Sequence, residues 1–422
     1  MTADSTFNID LNGAANDVFG HTLHQLFKYV SASGRNGVTI GLEGSGSAIE
    51  VSRPFCDCLQ GEMPLNAIFT EGPEVRLNDG AVDHLSTVVY MVNYLQEYGR
   101  GEADEIGRFP FESSYQCKFG VVSENLVLKH FKLFLEQFQL GTWTDQPSRI
   151  FVSHDNDGLY RSFKQDGMYA LSKGRLDWLL RIVFSEVMRK PRWFNMDRIM
   201  DINDAYDLKS TFFWLVEKGD VWVDQRKLRN ADYAIDDPKI LSQMERIRLR
   251  SFEQGIHKAI GPLSFRQELE KLPFACASNR NHFLRLRIPE HFTDIDEAGL
   301  KLDFSLGFAE EFGLRNNFAL PYKPFDLRRM RPTEATYVPL MIMDTTNWTY
   351  KRLSLKSFKE ESLSLIDQHA SNAVISVLWH NKYFSDMKFA GYLEVYKAIL
   401  DLCKQRNVTG ITQKEMLSTY DT

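Results

Sequence analysis

Arg149-Ile150-Phe151-Val152-Ser153-His154-Asp155-Asn156-Asp157 is the stretch on which the reading of this chain turns. A short apolar run delivers two carboxylates and an imidazole into a turn, with Gly158 directly behind them. Charges packed that tightly repel one another unless something cationic sits among them. A divalent metal is the usual occupant, and one carboxylate is then left free to act as a base. The plainer alternative is a strand-to-helix turn whose aspartates cap backbone N–H groups.

Outward from this stretch, the composition sets bounds. The chain has 422 residues, 43% hydrophobic and 25% charged, as expected for a globular protein of two domains with a sizeable core. A net charge of −6 and a pI near 6.0 give no basic footprint for nucleic acid or an anionic membrane surface. The five cysteines are scattered, and Cys56-Asp57-Cys58 is too close for an ordinary bridge and lacks a zinc ribbon's second pair. A reducing cytoplasm is therefore expected. The first residues carry no basic and apolar leader, and no run of eighteen apolar residues predicts a membrane-spanning helix.

Periodicity divides the chain at about residue 145, into a smaller α/β domain over 1–145 and a second domain over 146–422. The first part has helical patterns over 85–98 and 126–140, an aromatic loop or edge strand over 104–119, and a glycine-rich hairpin turn over 41–47. From Arg149 the pattern becomes strand, connection, strand. Strands are predicted over 150–153, 211–216, 254–257, 283–288, 302–307, 338–343 and 374–379. Helices are predicted over 175–189, 238–249, 264–272, 353–368 and 391–406, the third opened by the capping box Ser264-Phe265-Arg266-Gln267. Seven strands alternating with helices predict a parallel sheet or an irregular (β/α) barrel, where chemistry gathers at the carboxyl ends of the strands.

Four of those strands end on a potential ligand or proton carrier: Asp155 and Asp157, then His257, Asp344 and His380. His282 is placed at the start of its strand. Carboxylate oxygen with imidazole nitrogen suits Zn2+ or a similar first-row divalent ion, and an open site of that kind hydrolyses unactivated bonds. Singly, each of these residues reads equally well as a core histidine or a helix cap.

These residues are where the chain resembles the polysaccharide deacetylase family, the NodB-homology carbohydrate esterases (family 4-like), over about 149–406. The supporting stretches are HDNDGLY at 154–160, STFFWLVEKG at 210–219, GIHKAIGPLSF at 255–265, NRNHFLRL at 279–286, LKLDFSLGFAEEFGLRNN at 300–317 and SVLWHN at 376–381. They are most similar to a divergent bacterial branch with a first motif like HDxD, and the region before Trp143 looks like the uncharacterised domain often joined to it. The resemblance implies that Asp155 is the general base and that Asp157 and His257 bind the metal. The family's next histidine, four residues on, is replaced here by Gly261; His282 is the substitute and His154 the reserve. Arg315 takes the family's arginine motif, at an altered spacing, and is implied to pair with Asp155. Leu378-Trp379-His380 matches the last motif, making His380 the proton donor, with Asp344 behind it.

The activity so implied is metal-assisted hydrolysis of a C–N amide bond, deacetylating an N-acetylated sugar of a glycan or glycoconjugate precursor inside the cell. The cofactor is a divalent ion, Zn2+ by preference and Mn2+ or Co2+ as alternatives. Tyr322, through its backbone N–H, Trp379 and Tyr383 are the expected substrate contacts. The alternatives are hydrolysis of a non-sugar amide on the same scaffold, and a non-catalytic carbohydrate-binding or assembly protein. No nucleic-acid partner and no membrane insertion are expected.

Overall fold

The computed structural model of the protein describes residues 7–32, 37–61, 65, 68–98, 103–188 and 191–421. Its centre is a parallel sheet whose strands are for the most part buried on both faces. The strands are β1 (Arg149–Asn156), β2 (Thr211–Leu215), β3 (Glu253–Lys258), β4 (Ser278–Asn281), β5 (Leu302–Asp303), β6 (Thr336–Tyr337), β7 (Ile342–Met343), β8 (Val374–Leu378) and β9 (Thr409–Gly410). Their hydrogen-bonded order is β6-β5-β4-β3-β2-β1-β8-β7, with β9 paired to β1. The two ends of that path belong to one stretch of chain. Val338 N donates to Asp303 O at 2.9 Å on one side, and Met341 N to Ser376 O at 3.2 Å on the other. The mixed α/β architecture with its curved parallel sheet is compatible with a (β/α) barrel.

Several elements differ from their sequence pattern. The strand expected over 283–288 lies instead at Ser278–Asn281, a polar stretch that reads as loop. It is held inside by side-chain partners: Asn279 Nδ2 donates to Asp303 Oδ2 at 2.7 Å, and Arg280 reaches β1. Phe283 and Leu284 then take left-handed φ of 58° and 52°, which stops the strand. His282 therefore follows its strand's carboxyl end rather than opening it. The 302–307 strand shortens to two residues because Asp303 Oδ1 accepts from Ser305 N at 2.9 Å and turns the backbone out of the ladder. The 41–47 turn is no hairpin, since Val38–Leu42 and Ile49–Val51 run parallel.

The helices hold closer to expectation. Pro238–Leu249 is as predicted, with Pro238 in the first turn. The capping box of Ser264 and Gln267 is formed, although its helix is only Phe265–Leu269. The 353–368 and 391–406 patterns become Leu355–Gln368 and Tyr392–Gln405. Two helices follow β1 directly, α1 (Ser162–Ser172) and α2 (Leu176–Val187); Arg189, in the expected span of the second, lies outside the described residues. The 85–98 helix ends at Val92, where Tyr94 turns left-handed with φ 56° before a short 3-10 turn, Leu95–Glu97.

Residues before 146 pack onto the sheet through a continuous apolar cluster that includes Leu23 and Phe131 together with Phe151, Phe213 and Phe304. Among the described residues, no helix is long and apolar enough to cross a membrane.

Candidate functional site

Alternation along β1 sorts its polar residues. Successive side chains of a strand point to opposite faces, so Phe151, Ser153 and Asp155 share one face and Val152, His154 and Asn156 the other. His154 is accordingly turned away from the carboxylates. Its Nδ1 donates to Trp379 O at 2.7 Å, Asn203 lies 3.1 Å from its Nε2, and burial pushes its pKa down to about 4. It is a core histidine, not a reserve ligand.

On the inner face, Asp155 Oδ1 accepts from Arg280 Nη1 at 2.9 Å, and that same nitrogen donates to Ser153 Oγ at 2.8 Å. The guanidinium lies 4.7 Å over the ring of Phe213, a favourable seat for a desolvated cation. Room for this stack comes from Gly255, where a Cβ would sit 2.4 Å from Phe213 and 2.5 Å from Ser278 Oγ. The partner of Asp155 is therefore Arg280, not Arg315. Arg315 is buried elsewhere, forked onto Glu97 with Nε–Oε1 2.8 Å and Nη2–Oε2 2.7 Å, and donating to Gly307 O. Arg280 went unassigned in the sequence although it stands in the Arg280-Asn281-His282-Phe283-Leu284 stretch that singled out His282.

The other oxygen of Asp155 lies 3.5 Å from His257 Nε2, and Asp157 Oδ1 lies 3.3 Å from that nitrogen. His282 Nε2 is 3.8 Å from the same Asp157 oxygen. Asp157, His257 and His282 each offer a ligand atom within 4.8 Å of the others. His257 Nδ1 donates to Arg280 O at 2.7 Å, so its Nε2 keeps the lone pair that a metal takes. His257 Nε2, Asp157 Oδ1 and His282 Nδ1 are buried with no hydrogen-bond partner. The His257 and Asp157 orphans face each other, and with His282 Nε2 turned to the same Asp157 oxygen they fit a cation; the orphaned Nδ1 is the other nitrogen of the His282 ring. Metal–ligand bonds near 2.0–2.1 Å put tetrahedral donors roughly 3.3 Å apart, close to the separations here.

His380 closes the far side. Its Nδ1 lies 2.7 Å from Asp344 Oδ1, its backbone N–H donates to the other oxygen of Asp344, and its Nε2 is 3.4 Å from Asp157 Oδ2. Burial opposes the charged form of His380, but Asp344 and Asp157 outweigh it and raise the pKa. Burial likewise opposes ionisation of Asp157, which His282, His380 and His257 reverse to leave it well below the usual carboxylate range. His257 is raised, with burial overcome by Asp155 and Asp157, while burial pushes His282 down to about 3.

Asp155, Asp157, His257, His282 and His380 line a cavity of about 320 Å3, within the range of small-molecule sites. Tyr383 lines it, as do Trp348, Tyr350 and Leu378. Trp379 does not: it points to the opposite face from Leu378 and stacks on Phe358 with centroids 5.7 Å apart. Tyr322 is also remote, its hydroxyl 3.3 Å from Thr22 and its N–H donated to Tyr337 O, which removes it as an oxyanion donor. The region before residue 146 does supply one wall. Arg108 lines the cavity, bonded to Asp104, Glu310 and Tyr350 and donating to Phe283 O at 3.0 Å.

No protein-family model and no curated relative matches the sequence. Among solved structures, one from Bordetella bronchiseptica, assigned as a polysaccharide deacetylase involved in O-antigen biosynthesis, is 15% identical with a TM-score of 0.31. The match covers 65% of this chain and 90% of that one. A polysaccharide deacetylase from Bacillus cereus is 9% identical with the same TM-score of 0.31, over 63% of this chain and 93% of that one. Both likenesses are loose.

Proposed function

We propose that the protein is a metal-dependent hydrolase of an amide C–N bond, and that it removes the acetyl group from an N-acetylated sugar. The observation that carries this reading is the convergence of Asp157, His257 and His282, each offering a ligand atom within 4.8 Å of the others, between the pairs Asp155–Arg280 and His380–Asp344.

Asp157, His257 and His282 would hold the ion, and their one-oxygen, two-imidazole donor set suits Zn2+, with Mn2+ or Co2+ as alternatives. Such an ion supplies Lewis acidity to a carbonyl oxygen and acidity to a water. Arg280 engages one oxygen of Asp155 while the other stays turned toward His257, which would suit that oxygen to take a proton from the attacking water. His380 is oriented by Asp344 through Nδ1, so Nε2 is the atom that would protonate the departing nitrogen. The exposed aromatics Trp348 and Tyr350 at the cavity offer the flat apolar faces a sugar ring packs on.

The reading is tested by elemental analysis of the purified protein beside Asp157→Ala and His257→Ala, followed by acetate release from N-acetylglucosamine oligomers. About one divalent ion per chain, lost in both variants, with acetate released only by the metal-loaded wild type, is the expected result. A wild type that takes up no Zn2+, Mn2+ or Co2+ on reconstitution would shift the assignment to a binding or assembly role. A metal-loaded protein inert on N-acetylated sugars would point to a different amide.

A further inference from the structure

Helices α1 and α2 form a hairpin whose outer face is apolar and bare. On α2, Leu176, Leu180, Val183, Phe184 and Val187 recur at i, i+4, i+7, i+8 and i+11, the spacing of a single helical face. An amphipathic helix ordinarily buries that face. Here it is turned to solvent, with Leu180 73% and Phe184 66% exposed. Ile182 on the opposite side is the residue that packs inward, against Ala170 and Met387. Phe163, Met168 and Leu171 on α1 are exposed as well. Among the described residues, nine of the seventeen large apolar side chains left exposed belong to these two helices and the residue that follows them. Single exposed apolar residues need no explanation, but a contiguous patch marks a binding surface.

Charge decides what covers it. The whole chain carries −6, yet residues 161–192 hold eight Lys and Arg against three Asp and Glu, a local balance of +5. Lys164, Lys173, Arg175 and Arg181 are exposed on the hairpin, with Arg175 paired to Asp177 and Arg181 to Asp386, so Lys164 and Lys173 are the basic residues most open to a lipid phosphate. A large apolar face flanked by basic residues is the signature of a helix lying in the plane of an anionic lipid surface. A self-associating face with the same local charge would bring like charges together.

Position adds a second argument. Lys388 Nζ donates to Gln165 Oε1 on α1 at 3.0 Å and lies 5.7 Å over the ring of Trp348. Trp348 and Tyr350, 40% and 37% exposed, line the cavity beyond it. The apolar hairpin thus continues through a lysine into exposed Trp and Tyr, the side chains that favour the lipid headgroup level. Arg161, Lys382 and Lys388 face the cavity from this side.

We infer that the α1–α2 hairpin seats the protein on an anionic phospholipid surface, with the mouth of the cavity opening toward that surface. This assignment does not depend on the reaction given to the cavity. No segment crosses the bilayer; the apolar stripe enters the headgroup layer and the basic residues meet lipid phosphates.

Cosedimentation of the full chain with sonicated vesicles tests it. Vesicles of phosphatidylglycerol and phosphatidylcholine are compared with pure phosphatidylcholine, at low salt and at about 0.5 M salt, where charges are screened within a few ångströms. The wild type is expected to bind the anionic vesicles at least tenfold more tightly than the neutral ones, and more weakly in salt. Leu180→Glu with Phe184→Glu is expected to lose at least tenfold; both side chains are exposed, so the fold survives, as a thermal melt will check. Lys164→Gln with Lys173→Gln should lose part of the binding and of its salt dependence. The inference is overturned if the wild type ignores anionic vesicles, or if the Leu180/Phe184 variant binds them equally well. It is also overturned if light scattering shows a wild-type dimer that this variant dissociates while neither protein binds vesicles, which would give the face to a second copy of the chain.

Discussion

Among the described residues, two arginine–carboxylate pairs are buried at both partners, and they are built differently. At the seam between the first 145 residues and the sheet, Arg315 and Glu97 close a two-pronged fork, with both carboxylate oxygens taken and the remaining guanidinium nitrogen on a carbonyl. Inside the sheet, Arg280 engages one oxygen of Asp155 and leaves the other facing His257. The first pair is saturated and can only hold parts together. The second is half-committed, and its open oxygen borders the cavity. Burial and charge are alike in both; the unspent lone pairs set the candidate site apart from the structural pair.

The sharpest way to break this contrast is to neutralise each acid. Asp155→Asn is expected to lower amide hydrolysis by roughly 100- to 10,000-fold, the usual range for a general base, while the ion stays bound because Asp155 is outside the triad of ligands. Its melting temperature should fall too, since Arg280 loses its counter-charge, so the rate is taken below that transition. Retention of full activity would remove Asp155 from the chemistry. Glu97→Ala is expected to do the reverse, costing about 3–5 kcal/mol in denaturant unfolding by stranding Arg315, with metal content unchanged. Loss of the ion in that variant would show the seam to be coupled to the site.

A smaller effect belongs to the aromatic seat of Arg280. Gly255→Ala pushes a methyl into Phe213 and Ser278 and should destabilise by about 1–3 kcal/mol, the range for overpacking. It should also cut activity through displacement of Arg280; a variant as stable and active as wild type would show that the stack has slack.

The smallest expected effect is one of pH, at histidines away from the site. Burial pushes His21, bonded to Lys323 O across the seam, and His130 down to about 4 from 6.5. Folding thus favours their neutral forms. Their contribution is complete above the unfolded value of about 6.5 and is lost as pH falls toward 4, at about 1 kcal/mol each by pH 5.5. His21→Gln should flatten the fall in stability over that window; an unchanged profile would acquit His21.

Much of the candidate site was legible because polar residues at strand ends gather in such folds and strands announce themselves by apolar runs. Asp155, Asp157, His257, Asp344 and His380 were found on that basis. What failed had a common cause. Ser278–Asn281 is polar, and a polar strand inside a sheet looks like loop, so Arg280 was passed over and the arginine role went to Arg315. Trp379 and His154 were misplaced by one residue, the step that in a strand separates one face from the other. Tyr322 was chosen by nearness in sequence to Arg315 and moved with it. The bare face of α2 was legible as a stripe, but nothing in a sequence says whether a stripe is turned inward or out.

The fork between Arg315 and Glu97 also restricts how this chain can be cut and recombined. A fragment beginning near residue 146 would keep every candidate ligand and yet carry a buried guanidinium with no counter-ion, while giving up the Arg108 wall of the cavity. Grafting the barrel-like part behind another leader would call for a carboxylate at the place of Glu97, so the two parts form a matched set.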